Sequence, residues 1–285
     1  MIRGWRLWAL LVTLMLGGCQ ALVTPLGHDV AAVEPTAGDD GDLVNLVACW
    51  EAEPLAELLR MAYEAQYPSS AVLVNLTNSQ HAMELLQRGE ASLGLIVTMA
   101  DQEPQVPTGW ITRELAVDAV ALVTSPDLAV ASISPDDLSR LYAGQVVDWA
   151  DLGFGEGQPA FVTRERGAVL RLLFEERIMG DRSISTAAAV VPHNHAMLEL
   201  VSTTPKALGY VPATLVDDRV RVVALDGKLP THSEIERGSY PLRSSLWLVM
   251  PVSSEGLADG GALRLASFAL GARMQREISA RYVRP

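Results

Sequence analysis

An α/β fold of two lobes around a cleft is the architecture this sequence predicts, and three observations carry the prediction. From Leu43 onward, strand-like and helix-like stretches alternate in two separate runs, the pattern of parallel strands joined by crossover helices. Two long extended stretches, ELAVDAVALVTS and SSLWLVMP, stand after the first run and after the second, each long enough to pass from one lobe to the other. The chain of 285 residues leaves about 265 beyond its leader, enough for two domains of ordinary size.

The leader, residues 1–18, reads as a signal segment. Arg3 and Arg6 supply a positive start, and Leu7 to Leu16 is an uncharged run of ten residues, too short to span a bilayer as a mature helix. It ends in Leu16-Gly17-Gly18-Cys19, which resembles a bacterial lipobox. Cleavage before Cys19 and lipidation of its thiol are therefore expected, and several acyl chains on one residue hold a protein stably at a membrane surface. The alternative is an ordinary secretory signal or uncleaved anchor in which Cys19 is incidental. On the lipoprotein reading the protein is extracytoplasmic and lipid-anchored to the cell membrane. Cys49 is then the sole remaining cysteine, so no intrachain disulfide forms and stability must come from burial.

Loss of Arg3 and Arg6 removes two positive charges and takes the formal charge from −12 to −14. An acidic surface argues against nucleic acid and against broad polybasic contact with anionic lipid. It leaves room for a small anion held by local dipoles and one arginine. Residues 19–42 hold Pro25, Pro35 and the run AGDDGD without periodic pattern, and read as a flexible tether.

The first lobe begins at residue 43 and runs to 121. LVNLVAC reads as a strand, and Pro54 to Tyr67 as a helix with Leu55, Leu58, Leu59 and Ala62 on one face. AVLVNL, a helix from about Gln80 to Gly89, and ASLGLIV complete a βαβαβ unit, with ligand sites expected at the strand carboxyl ends. The second lobe, residues 122–243, holds a helix near Pro135 to Tyr142, the strand PAFVTR, a helix from Ala168, another near His195 to Ser202, and the strand VRVVAL. Residues 244–285 make the return crossing and rejoin the first lobe with a final helix, about Gly261 to Ile278. Lobes joined by extended crossings can open and close by hinge motion.

FVTRERGAVLRLLFEE, Phe161 to Glu176, is the stretch that speaks most directly to chemistry. Arg164 closes a strand, Gly167 makes a tight turn, and an apolar helix follows, a layout that builds anion sites from free backbone N–H groups and a guanidinium. Yet Ala168, Val169 and Leu170 carry no hydroxyl.

The order and wording of the segments resemble the phosphate-binding solute receptors of bacterial ABC uptake systems, over nearly all of Leu43 to Pro285. ISPDDLSRLYAGQVVDWADLG is similar to that family's turn with Gly144, Trp149 and Leu152 at its G-x-x-x-x-W-x-x-L positions. ALGYVP, YPLRSSLWLV and the closing FALGARMQREISARYVRP look like three further family segments, in the family's order. The resemblance implies a type II periplasmic-binding-protein-like fold, a small solute such as phosphate or another oxyanion, and an ABC transporter permease as partner. It also implies a site built from four segments. In the turn that should touch phosphate, Arg164, Glu165, Gly167, Arg171, Phe174 and Glu175 match the family pattern, whereas the serine, glycine and threonine expected next are Ala168, Val169 and Leu170. In the first segment Trp50 and Glu51 stand at the ligand-contact positions, in the second Asn78 and Ser79 remain polar, and the third offers Val97 or Thr98 with Asp101 displaced. The frame matches and the phosphate-specific lining mostly does not.

Each candidate carries a structural alternative. Arg164 is either an anion clamp, pairing bidentately with an oxyanion, or half of a structural ion pair. A carboxylate at Glu51 about 4 Å from a bound anion would repel it by roughly 4 kcal/mol at an effective dielectric near 20, about a thousandfold in affinity. Glu51 is therefore a helix-start residue like Glu53, a substitute anion in an empty cleft, or a partner for a cationic ligand. Trp50 either stacks on a ligand or packs between lobes; Asn78 and Ser79 are ligand donors or helix caps. Cys49 lacks any visible means of activation, with His81, His193 or His195 as the candidate bases, and reads as a buried thiol. His193 and His195 fall short of a zinc ligand set. The expectation is a non-catalytic solute-binding protein with no cofactor or metal. The alternative is an envelope interaction or sensory protein that kept the fold and lost transport.

Overall fold

A computed structural model describes residues 41–252 and 259–285. The expected leader, Cys19 and the tether as far as residue 40 lie outside the described residues. Among the described residues, no helix is long and apolar enough to cross a membrane.

The first run of the sequence builds a parallel unit. β1 (Leu43–Cys49) lies between β2 (Ala71–Thr77) and β3 (Leu93–Met99), with Leu46 aligned to both Val74 and Leu93. Its last four residues are all buried, as a strand covered on both faces requires. The crossovers are α1 (Glu53–Gln66), which buries Leu55, Leu59 and Tyr63 at helical spacing, and α2 (Ser79–Gln87). One 3-10 turn, Trp50–Ala52, connects β1 to α1.

The two extended stretches tie the halves together. β4 (Ile111–Thr124) is 14 residues long. Its first part pairs antiparallel with β10 (Arg243–Met250), where Glu114 faces Trp247, and its second part with β8 (Ala207–Pro212), where Val120 faces Pro212. β10 also pairs antiparallel with β3. The sheet order is β2-β1-β3-β10-β4-β8, then β6 (Ala160–Arg164) and β7 (Ala189–Val191). Off this path, β5 (Ser132–Ile133) pairs with β9 (Arg221–Leu225), which also pairs with β4. The fold is a two-lobed α/β fold, as the alternation of strands and helices predicts.

Each half has its own core. One packs Leu46, Leu55, Leu59, Leu95, Leu248 and Leu265; the other packs Leu122, Tyr142, Trp149, Phe174, Tyr210 and Tyr240. In the second, the Phe174 and Tyr210 rings stack with centroids 4.7 Å apart. Trp149 is fully buried and its indole N–H donates to the Lys206 carbonyl at 3.0 Å, so the G-x-x-x-x-W-x-x-L turn is a clamp on the edge of β8. The helices of this half are α3 (Pro135–Tyr142), α4 (Val169–Phe174), α5 (Asn194–Thr203) and α6 (His232–Glu236).

Two elements differ from expectation. The single closing helix is two, α7 (Gly260–Leu270) and α8 (Ala272–Ser279), broken where Gly271 takes extended backbone at φ −64°, ψ 144°. Glycine has little intrinsic helix preference, so tertiary packing readily redirects the chain there. The helix after Gly167 is also short: α4 ends at Phe174 and a π turn, Glu175–Met179, follows.

Candidate functional site

The carboxyl ends of β1 and β6 bring two residues from different halves into contact. Glu51 leaves β1 in the 3-10 turn, and Arg164 is the last residue of β6. The Arg164 Nη1 donates to Glu51 Oε1 at 3.0 Å, across 113 residues of chain, and the two side chains are 0% and 3% exposed.

The other donors of Arg164 are also engaged. Nη1 donates to Asn194 Oδ1 at 2.7 Å, Nη2 to Glu165 Oε1 and to the Pro192 carbonyl at 3.1 Å each, and Nε to Glu165 Oε2 at 3.1 Å. A guanidinium has five N–H groups, and here all five have acceptors. Two carboxylates face one cation, so the local balance opposes a further anion. Asn194 completes the junction by donating from Nδ2 to the Trp50 carbonyl at 2.9 Å. Arg171 braces the strand end, donating to the Arg164 carbonyl at 2.9 Å while pairing with Glu175.

Burial pushes the Glu51 carboxyl above its ordinary range, the Arg164 guanidinium pulls it back down, and the nearby Glu165 charge adds to the rise. The remaining predicted residues surround this pair. The Trp50 ring lies against His193 with centroids 5.1 Å apart, and His193 accepts the Ala196 N–H as the cap of α5. His195 Nε2 sits 3.1 Å from Glu53 Oε2, another contact from α5 to the start of α1. Asn78 caps α2 by accepting the His81 N–H at 2.9 Å, and the Ser79 hydroxyl lies 3.0 Å from the Cys49 sulfur. Burial, reinforced by the Glu51 charge, pushes the Cys49 thiol up to about 12, so it stays protonated at neutral pH.

The turn without hydroxyls has a packing role. Gly167 takes the left-handed φ of +88° that the tight turn needs, Ala168 is buried, and Val169 packs into the core of the first half although it belongs to α4. Leu170 turns to the core of the second half. In the third segment Val97 is buried, the Thr98 hydroxyl donates to the Gln102 carbonyl at 2.6 Å, and Asp101 sits on the surface near Arg177 and Arg243. The structure thus gathers Trp50, Glu51, Arg164 and Val169 at one junction and gives Asn78 and Ser79 local partners. Sequence reasoning missed Asn194 and Pro192 as partners of Arg164; the sole hint was a polar residue at the start of a helix beginning beside two histidines.

Comparison with known proteins shows which family and fold the chain shares. The family model of the PBP superfamily domain matches residues 47–272. The Phosphate-binding protein PstS of Bacillus subtilis (strain 168) is 22% identical over 228 residues, covering 79% of this chain and 74% of that protein. Among solved structures, one from Clostridium perfringens with bound phosphate, described as a phosphate ABC transporter substrate-binding protein, superposes with a TM-score of 0.75 at 20% identity, covering 86% of this chain and all (100%) of the other. An ABC-type phosphate transport receptor from Vibrio cholerae gives a TM-score of 0.67 at 23% identity, covering 85% of this chain and 100% of the other.

Proposed function

Because this chain belongs to the PBP superfamily, we propose that it is an extracytoplasmic solute-binding protein of a phosphate-type ABC uptake system. In this reading acyl chains on Cys19 hold it at the cell membrane, and residues 43–121 with 244–285 form one lobe while 122–243 form the other. A small solute binds between the lobes and is handed to a permease. The observation that supports it most is Arg164, a buried guanidinium carried at the carboxyl end of β6 and turned to the junction of the two halves. That is where an open α/β sheet offers a ligand site, and the Bacillus subtilis and Vibrio cholerae relatives are, by their names, a phosphate-binding protein and a phosphate transport receptor. Native mass spectrometry of the mature protein as purified tests the reading, followed by calorimetric titration with phosphate, arsenate, sulfate and molybdate. A retained or titratable small solute supports it; a protein that carries and takes up none removes it.

A second reading is favoured by one observation: every N–H of Arg164 already has a protein acceptor. On this reading the fold serves as an envelope interaction or sensory module with a permanently joined cleft. A permease gene beside this one, and co-purification of permease with the protein, would distinguish transport from that role.

A further inference from the structure

We infer that the Glu51 carboxylate is a tethered stand-in for an oxyanion: it occupies the anion seat of Arg164, and a free oxyanion enters that seat only when Glu51 is withdrawn, protonated or removed. The inference rests on the solute-binding reading above and specifies how its site is regulated.

Sorting the acceptors of Arg164 by origin carries the inference. Glu165, Pro192 and Asn194 all come from the same half as Arg164 and would remain in place if the halves separated. Glu51 alone comes from the other half. A ligand between lobes stabilises closure because it contacts both, and here a side chain of the protein makes that bridge. A carboxylate held at the seat by the chain competes as an intramolecular ligand, at an effective concentration no free anion at micromolar level matches. Its charge matters as much as its bulk, since a second anion against Glu51 and Glu165 meets two negative groups.

The surroundings favour closure around this stand-in. Val169 in the first half's core, the Trp50 ring on His193, and Asn194 on the Trp50 carbonyl are all contacts between halves. None of the three uses an N–H of Arg164. The hydroxyl-free turn and the Glu51 carboxylate lie at the same junction, and closure on a side chain of the protein accounts for both.

Acid should loosen the stand-in. The groups that face Glu51 are Arg164 and Glu165 from β6 and the turn after it, and Cys49 from the end of β1; His193 and His195, at the start of α5, approach the neighbouring Trp50 and Glu53. Protonating Glu51 removes one of the two negative charges facing Arg164, which stays cationic and paired with Glu165, so the repulsion opposing a further anion at Nη1 falls. Sulfate suits this arm of the test because its own charge does not change between pH 5 and 7.5.

The decisive experiment compares the wild type with Glu51→Ala, Glu51→Gln and Glu51→Ala/Arg164→Met, all as mature protein. Phosphate, sulfate and formate are added at constant ionic strength, with binding read by calorimetry and stability by thermal unfolding. Glu51→Ala should bind one oxyanion per chain at least about tenfold more tightly than the wild type and gain several degrees in Tm on saturation. Glu51→Gln should do the same more weakly. The double variant should show neither effect, and wild-type sulfate affinity should rise from pH 7.5 to pH 5. If Glu51→Ala is unfolded alone, its refolding yield is read against the same anions, and Arg164-dependent recovery supports the inference. Folded Glu51 variants with no Arg164-dependent anion response, or a variant no anion recovers, overturn it. Wild type that takes no solute at pH 7.5 while Glu51→Ala does would remove the receptor reading and keep this one. Wild type that binds phosphate tightly at pH 7.5 through Arg164 would do the reverse.

Discussion

At the scale of single residues, Glu51 and Arg164 are a buried pair whose value depends on both members. Replacing Arg164 by Met leaves a desolvated carboxylate without its cation, and breaking such a pair by one partner destabilises by about 3–5 kcal/mol. Glu51→Leu/Arg164→Met, which removes both charges, should recover most of that loss, because apolar pairs of similar volume often replace buried ion pairs at little penalty. Urea unfolding of the single and double variants checks this; a double variant as weak as the single would mean that the pair's hydrogen bonds, and not its charge balance, hold the junction.

Asp118 gives a second prediction at this scale. It is buried on β4, accepts the Thr214 hydroxyl at 2.7 Å, and burial raises its carboxyl from 3.8 to about 6. A raised carboxylate favours the folded state when protonated, so its contribution is full below pH 3.8 and is lost as pH rises through about 6. The shift corresponds to about 3 kcal/mol. Asp118→Asn should therefore gain about that much relative to wild type between pH 4 and pH 7, read from denaturant unfolding across the range. A difference independent of pH would show that Asp118 titrates normally.

The elements were legible where pattern alone decides them. Apolar runs gave β1, β2, β3 and β9, and Leu55, Leu58, Leu59 and Ala62 gave α1, whose buried face keeps Leu55 and Leu59 and adds Tyr63, because burial of a face is written locally. β7 is three residues long and lies mostly on the surface, too little pattern to read. The break at Gly271 was hidden inside an otherwise helical run, since a glycine there is tolerated or broken according to packing that the sequence does not display. The site was legible in its members and not in its pairing. Arg164 stood out by its place at a strand end and Glu51 by its charge in a position suited to neutral donors, but 113 residues separate them and nothing local joins them. Asn194 left no signal beyond its polarity.

One element contact yields its own test. Gly209, in the ALGYVP strand, lies so close under α5 that a Cβ there would stand 2.6 Å from Met197 Sδ and 2.8 Å from a Val201 methyl. Gly209→Ala should destabilise by about 1–3 kcal/mol through overpacking, measured by denaturant midpoint. Val169→Ser, which places a hydroxyl in the turn, should also weaken the protein, because the side chain leaves the core of the first half. If Val169→Ser instead stabilised the fold in phosphate, the turn would be acting as an anion cradle.

For the whole molecule, the sheet is continuous through β4 and β10, and the junction between halves is closed by the protein's own side chains. A binding protein ordinarily rests open and closes on its ligand because the ligand has differential affinity for the two states. Here the closed state has a resident bridge, so the protein should change little in radius of gyration when phosphate is added at neutral pH, and Glu51→Ala should be the more extended form until an anion is supplied. Small-angle scattering of both proteins with and without phosphate reads this directly. A wild type that contracts on phosphate would show an open resting state.

The most direct measurement is a crystal structure of the wild-type protein grown from phosphate near pH 7. The expected density shows Glu51 Oε1 on Arg164 Nη1, the distance near 3.0 Å, with no phosphate at that guanidinium. Orthophosphate seated on Arg164, with the Glu51 side chain turned away, would contradict it.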